Sequence, residues 1–486
     1  MVVKIVGEIE RLDAKQLSYH DFVENYMKRN QPVLLTGLMD GWQACKDWVK
    51  PNGEPNLAFF STHFGKSKVQ VADCGTREFT DQKRKEMSVS EFIGHWERLL
   101  EQDGNESLLY LKDWHFVKEY PTYVAYATPH FFLDDWLNMY LDSYHMHEDT
   151  NSDASYELNC SDYRFVYMGC KGTWTPLHAD VFRSYSWSAN VCGKKVWHFL
   201  SPLQSHLIFD RNLKNSVYDI FDDVSDTQFP GFRKTVWMRC TQEKNEVIFV
   251  PSGWYHQVHN LEDTISINHN WFNAHNLFWV WSLLVKDYNE AKEYIEDIRD
   301  ICDDFEGLCQ RNLAANTGMN FPDFFTFIGR FAIANMNQLH QLEDKGLCIN
   351  LAKARHLYCN LLSIHKVAEE MKSAVFFKAE HSHELTKNES AFQDIKSLFR
   401  EPKFHELCMS VNRIYGTLAT SARPDNEMGK VLGCSAEKLA EKESRKDLDI
   451  ISDQNCNKDV SFSIWGPEDL ARVIDCTIRN FKIFSS

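Results

Sequence analysis

The sequence contains fourteen cysteines but no C-x-x-C pair; they are scattered from Cys45 to Cys476, with Cys302 and Cys309 the nearest two. That absence speaks against a zinc ribbon, and the scatter reads as reduced thiols in a cytosolic or nuclear protein. No run approaches the roughly 18 apolar residues of a membrane span. The start, MVVKIVGEIERLDAKQ, breaks its apolar stretch with charges and offers no small-residue cleavage site. A cytoplasmic location is expected, with the nucleus second and no membrane partner. An excess of basic charge is also lacking: 53 Lys and Arg stand against 69 Asp and Glu, a net charge of −16. Nonspecific nucleic-acid binding draws its affinity from Lys and Arg, so no direct nucleic-acid contact is expected and a basic protein partner fits better. The one compact basic run, Lys83-Arg84-Lys85, reads as a solvated loop.

What is present in quantity is apolar and aromatic: 43% hydrophobic residues, 13% aromatics and fourteen tryptophans. A chain of 486 residues with that composition folds into two or three domains. Residues 1–107 mix a helical stretch around Phe22, Val23 and Tyr26 with a short buried strand from Pro32 to Leu35, and read as α/β elements that support the strand-rich region after them. Residues 108–275 change to short apolar segments broken by Gly, Pro and Asn, including Leu108–Leu111, Arg164–Met168, Val196–Leu200 and Val247–Val250. Evenly spaced short strands predict a β-sandwich or barrel. From 276 to 486 helical spacing takes over, as in Phe278, Trp281, Leu284 and the Tyr288, Ala291, Ile295 series. Within it, 421–459 is polar and reads as a long loop with one short helix at 436–443. A final helix opens at Gly466-Pro467-Glu468-Asp469 and sets Leu470, Val473, Ile474, Ile478 and Phe481 on one face.

The chemistry begins at Thr175-Pro176-Leu177-His178-Ala179-Asp180. Alternate residues of an extended segment share a face, so His178 and Asp180 offer an imidazole and a carboxylate to one point. A third donor arrives at Glu246 to His256, where an apolar strand enters a Pro/Gly turn and delivers His256. Two histidines and one carboxylate suit a non-haem Fe(II) centre with open positions, whereas a structural zinc would be closed by four protein ligands. Cys192-Gly193-Lys194-Lys195-Val196-Trp197 places two lysines in a strand after a glycine. One must point inward and one outward, and an inward lysine implies a bound anion. Alternation alone leaves the choice between Lys194 and Lys195 open.

T-P-L-H-x-D, then N-V-C-G-K-K-V-W, then V-I-F-V-P-S-G-W-Y-H, preceded by N-Q-P-V-L-L-T-G-L-M-D-G-W at Asn30–Trp42, together resemble the JmjC family of Fe(II)- and 2-oxoglutarate-dependent oxygenases. The similarity runs from about Phe22 to Asn276. It implies an α+β fold: a double-stranded β-helix, the jelly-roll or cupin-like barrel, with mixed α/β elements before it and helices after it. It implies iron on His178, Asp180 and His256, with 2-oxoglutarate and O2 as cosubstrates. The family pattern G-x-K-x-W selects Lys195 for the far carboxylate of 2-oxoglutarate and matches Thr175 and Tyr110 to the same carboxylate. Asn270, in H-N-W, matches a further pocket position. Two departures stand out: Asn245 replaces a usual Gly, a residue tolerant of positive φ, and Ser201-Pro202 replaces a usual Pro-Pro.

His178 to Val191, H-A-D-V-F-R-S-Y-S-W-S-A-N-V, together with a C-terminal region free of Cys/His arrays, is most similar to the cytoplasmic subgroup that hydroxylates a lysine of the eukaryotic translation termination factor. A lysyl hydroxylase acting on that protein is therefore the expectation, with N-methyl-lysine demethylation or a noncatalytic binding module as alternatives. His198, His206, His259, His269 and His275 read as structural or surface residues, and Trp187, Trp197, Trp254 and Trp271 as packing. Arg183 and Tyr185, which follow the H-x-D strand, read equally as residues lining a substrate mouth or as part of an exposed loop. Cys192 reads as a small core residue.

Overall fold

A computed structural model describes residues 3–101, 106–146, 162–344, 351–377, 395–421 and 463–480. The chain divides into two compact units, Met1–Asn138 with Leu158–Phe272, and Met139–Glu157 with Asn273–Ser486.

The first unit carries the strands. In chain order they are β1 (Ile5–Glu8), β2 (Arg11–Asp13), β3 (Val33–Thr36), β4 (Lys68–Glu78), β5 (Asp81–Ser88), β6 (Leu109–Trp114) and β7 (Arg164–Gly169). They continue with β8 (Trp174–His178), β9 (Tyr185–Cys192), β10 (Lys195–Leu200), β11 (Trp237–Gln242), β12 (Glu246–Val250), β13 (Tyr255–Asn260) and β14 (Thr264–Trp271). The larger sheet runs β2-β3-β12-β9-β14-β7-β6-β4-β5 and the smaller β1-β11-β10-β13-β8. This is the jelly-roll of the cupin type, with mixed elements ahead of it.

Sequence period explains which face each strand buries. In β9 Trp187, Ala189 and Val191 enter an aromatic core on one side of the larger sheet, while Ser186, Ser188 and Asn190 face the other way. That core is built with Phe22, Trp48, Phe60, Trp96, Phe116 and Phe132 from the preceding segments. Strand β12 is buried on both faces, which is why it reads as a continuous apolar run. Val247 and Phe249 join the aromatic core, and Ile248 and Val250 pack between the sheets with Leu34, Trp197, Phe199, Trp254 and Val258. The outer side of the smaller sheet is covered by Ile208, Val217, Ile220 and Phe232 from the irregular stretch after β10.

Two local features differ from the sequence expectations. Lys83-Arg84-Lys85 lies inside β5 rather than in a loop, because β4 and β5 form a long antiparallel hairpin and Asp113 takes the Arg84 guanidinium. Tyr185 is 1% exposed and packs on Phe249 and Trp271, its hydroxyl donating to the Met27 carbonyl at 2.9 Å, so it does not line a mouth. Asn245 does adopt a positive φ of 63°, as its place in a glycine position requires.

The second unit is helical, with helices at Leu277–Tyr294, Phe305–Thr317, Phe321–Asp344, Leu351–Met371, Pro402–Ser421 and Pro467–Asn480 among the described residues. Asp304 caps the second by accepting from the Gly307 amide at 2.9 Å, and Gly318 ends it at φ 83°. The last buries Leu470, Ala471 and Ile474 against the helices Phe321–Asp344 and Leu351–Met371. None of the described helices is long and apolar enough to cross a membrane. Apart from Ser421, the polar stretch expected at 421–459 and its short helix lie outside the described residues, as does Phe481.

The turn between β9 and β10 fixes the direction of the lysine strand. Gly193 has φ +73°, and a Cβ there would stand 2.0 Å from the Asp263 carbonyl oxygen, a backbone atom that cannot step aside. Gly193→Ala is expected to destabilise the protein by about 2 kcal/mol or more. A thermal melt of wild type against variant measures this, and an unchanged midpoint would contradict it.

Candidate active site

Strands β8 and β13 pair so that His178 lies opposite His256, with ring centroids 4.3 Å apart. The ligand-type atoms of His178, Asp180 and His256 all lie within 4.8 Å of one another, and this is the one such cluster among the described residues. The tautomers are set by the backbone. His178 Nδ1 lies 2.8 Å from the Pro176 carbonyl and His256 Nδ1 3.1 Å from the Trp254 carbonyl. A carbonyl only accepts, so each Nδ1 carries the proton and each Nε2 keeps its lone pair for a metal. Burial and the neighbouring His178 hold His256 well below the ordinary histidine pKa, in the neutral form a metal requires.

Asp180 is aimed in a similar way. Ser186 Oγ donates to its Oδ2 at 2.7 Å, leaving the other oxygen free. Between the two, Phe182 and Arg183 take positive φ values of 55° and 50°, unusual for non-glycine residues. The turn is held because Phe182 packs on Tyr163 and Phe272 and Arg183 donates to the Tyr255 hydroxyl at 3.0 Å. It folds the chain back so that β9 brings Ser186 beside the carboxylate.

Of the two lysines, Lys195 points inward and is 2% exposed, whereas Lys194 faces solvent with Glu243 at 3.2 Å and Glu262 at 3.9 Å. Lys195 pairs with Asn260 in β13, on the face that also carries Val258 and His256. Its Nζ donates to Tyr110 Oη at 3.1 Å and Ser266 Oγ at 3.0 Å, and no carboxylate lies within ion-pair distance among the described residues. Burial pushes its pKa down to about 7.

Thr175 is three residues from His178, a spacing that regular alternation would place on the opposite face. The register of β8 on β13 slips, His256 facing His178 while Val258 faces Thr175. That extra residue is a bulge, and it returns Thr175 to the inward face. Asn270 is buried at the other end, Nδ2 donating to Ser184 Oγ at 3.2 Å and its carbonyl accepting from Asn138 at 3.0 Å. Gly169 clears room for Tyr110: a Cβ there would meet the Tyr110 ring at 2.6 Å.

Sequence reasoning missed Ser186, Ser266 and Gly169. It also missed Ser188 and Asn260, whose Oγ and Oδ1 are buried without a hydrogen-bond partner. These buried polar atoms and the Lys195 ammonium, with no carboxylate within ion-pair distance among the described residues, make a donor set that fits an anionic cosubstrate, while two imidazoles and a carboxylate fit iron with open positions. His198, His259 and His269 stay outside the cluster. Trp187, Trp197, Trp254 and Trp271 are at most 6% exposed and pack as expected.

A jelly-roll in which three ligand-type side chains converge has the form of a cupin-type metal site. Residues 19–276 match the family described as Cupin-like domain. An arginine-specific demethylase, JMJ20, of Arabidopsis thaliana is 59% identical over 422 residues, spanning 86% of this chain and 89% of the relative. The 2-oxoglutarate and iron-dependent oxygenase JMJD4 of Danio rerio is 39% identical, over 65% of this chain and 73% of its own. The JMJD4 oxygenase of Homo sapiens is 37% identical, over 64% and 72%. The chain belongs to the JmjC family of cupin-like 2-oxoglutarate and iron-dependent oxygenases, and its cofactors are iron and 2-oxoglutarate.

Because Ser186 holds the candidate ligand Asp180 without being one itself, Ser186→Ala is expected to weaken metal binding by about ten- to a hundredfold while leaving the fold intact. Titration of the apo protein with Mn(II), a redox-quiet substitute, checks this against the melting temperature. Equal metal affinity in variant and wild type would contradict it.

Proposed function

We propose that the protein is an Fe(II)- and 2-oxoglutarate-dependent protein hydroxylase. In this reading His178, Asp180 and His256 hold the iron, and Lys195 with Tyr110 and Thr175 holds the far carboxylate of 2-oxoglutarate. Asn270 lines the pocket beyond them. The single observation that carries the reading is Lys195: a buried ammonium whose partners among the described residues are two neutral hydroxyls, on the same inward face as His256.

Bound iron and 2-oxoglutarate supply oxidation by O2, one oxygen atom entering succinate as carbon dioxide leaves and the other entering a substrate C–H bond. The chain's own residues do the rest. The Pro176 and Trp254 carbonyls keep the imidazoles in the ligating tautomer, and Ser186 keeps Asp180 aimed. Lys195, Tyr110 and Ser266 fix the depth at which the cosubstrate sits. Trp197 and Phe199, 5.5 and 5.7 Å from the His256 ring, exclude water behind it.

The substrate is a lysyl side chain of the translation termination factor, and the compartment is the cytoplasm. The similarity of His178 to Val191 to that subgroup supports this, and the net charge of −16 suits a basic target. The relative named as an arginine-specific demethylase favours a second reading, removal of a methyl group from an arginine. The two share their first event, hydroxylation of a carbon near a basic nitrogen. They part afterwards, since an N-hydroxymethyl product breaks down to formaldehyde and the free nitrogen.

The test is incubation with iron, 2-oxoglutarate and three peptide sets: a termination-factor loop, methyl-lysine peptides and methyl-arginine peptides. Succinate and peptide mass are followed, with His178→Ala as the background. Gain of one oxygen on the termination-factor peptide is the expected result. Loss of a methyl with formaldehyde release would replace it with the demethylase reading. Succinate no higher than the His178→Ala background with every peptide would sink both and leave a noncatalytic binding module.

A further inference from the structure

A second lysine is buried beside the same tyrosine ring. Lys112 follows Tyr110 by two residues on β6 and so shares its face, whereas Leu111 between them enters the aromatic core. Lys112 is 2% exposed, and its Nζ stands 5.2 Å from the centroid of the Tyr110 ring, over which Lys195 Nζ also stands at 5.8 Å. One phenol is therefore flanked by two ammonium groups. Lys112 Nζ donates to Gln82 Oε1 at 2.8 Å, and Gln82, equally buried, passes the contact on by donating from Nε2 to the Trp174 carbonyl at 3.0 Å. That carbonyl belongs to the peptide joining Trp174 to Thr175. Lys112 thus touches the ring of one proposed anchor and, through Gln82, the backbone of another.

No carboxylate lies within ion-pair distance of Lys112 among the described residues. The charged and titratable groups around it are Asp81 and Arg84 from β5, Cys74 from β4, Asp113 from its own strand, Tyr167 from β7 and Lys195 from β10. Asp113 is occupied by Arg84 and by the Tyr167 hydroxyl, which donates to it at 2.5 Å. Burying a second ammonium this way in a purely structural strut is costly, since a neutral side chain would fill the space for less.

We infer that Lys112 is a positioning residue of the cosubstrate pocket: with Gln82 it braces Tyr110 against the Thr175 strand, and it supplies the second positive charge that favours a dicarboxylate. This rests on the reading of Lys195 above. Burial pushes Lys112 down to about 8 and Lys195 to about 7, with the Lys112 charge further opposing that of Lys195. Arrival of a dianion favours both ammonium forms, so binding in mildly alkaline solution takes protons up from solution onto both.

The test is calorimetry of 2-oxoglutarate binding to the full-length, Mn(II)-loaded protein in buffers of different ionisation heat at about pH 8.5, where both lysines have lost much of their charge. Uptake of more than one proton per site is expected, and one or fewer overturns the inference whether or not any variant folds. Lys112→Met is expected to bind 2-oxoglutarate about tenfold more weakly and to take up fewer protons, on the strength of one buried charge. It should bind pyruvate, which has the same 2-oxo acid head and no distal carboxylate, as wild type does. An equal loss for both ligands would mark mere structural damage and overturn the inference. Lys195→Met separates the two failures: if it leaves 2-oxoglutarate binding unchanged, the cosubstrate reading falls. If it weakens binding while Lys112→Met does not, the inference alone falls.

Discussion

Lys195 is a buried cation with no carboxylate within ion-pair distance among the described residues. A buried ammonium sheds its proton or finds an anion, and this one has only the hydroxyls of Tyr110 and Ser266. The surrounding strands are arranged around that constraint. Gly193 turns the chain so that Lys195 rather than Lys194 faces inward, Gly169 leaves room for the Tyr110 ring, and β14 brings Ser266 across. The apolar packing of Trp197 and Phe199 along the same strand keeps the lysine dry and backs the His256 ring. Lys195 on β10 and His256 on β13 lie on one pair of strands, so the spacing between them is set by strand register, while β8 and the turn after it bring His178 and Asp180 to His256.

That economy has a cost in polar burial. Ser186, Ser188 and Asn190 on β9 lie opposite Asn270, Asn268 and Ser266 on β14, a ladder of polar side chains inside a barrel. Some of these atoms, Ser188 Oγ and Asn190 Oδ1, have no hydrogen-bond partner among the described residues. A packed apolar interior would be more stable, and polar groups left waiting for a ligand are where a functional chamber departs from the rules of a stable core. The opposite face of the same two strands offsets the loss, because Trp187, Ile267 and Trp271 sit in the aromatic core.

Much of this is legible in the sequence, for reasons that also show where reading stops. Strand alternation gives His178 and Asp180 a common face, and the apolar run Val247–Val250 marks a strand buried on both sides. Alternation cannot choose between Lys194 and Lys195, and it would turn Thr175 away, since only the register slip against Val258 brings it back. Ser186 and Ser266 look like the solvent side of an amphipathic strand. Only a second sheet closing over them makes them buried. Lys83-Arg84-Lys85 reads as a loop because charge suggests solvent, yet β5 keeps it in a hairpin with Asp113 as acceptor. Tyr185 reads as a mouth or exposed-loop residue because nothing in its neighbours' chemistry announces the turn at Phe182 and Arg183, whose two positive φ values reverse the chain just before it.

The central claim is that one cavity holds a metal at His178, Asp180 and His256 and an anion at Lys195, bridged by a single dicarboxylate. A crystal structure of the protein with Mn(II) and 2-oxoglutarate, using the anomalous signal to locate the metal, tests it most directly. Manganese is expected on those three side chains, with the distal carboxylate of the cosubstrate on Lys195 Nζ and the Tyr110 hydroxyl. Manganese bound elsewhere, or a cosubstrate whose distal carboxylate lies away from Lys195, would contradict the claim.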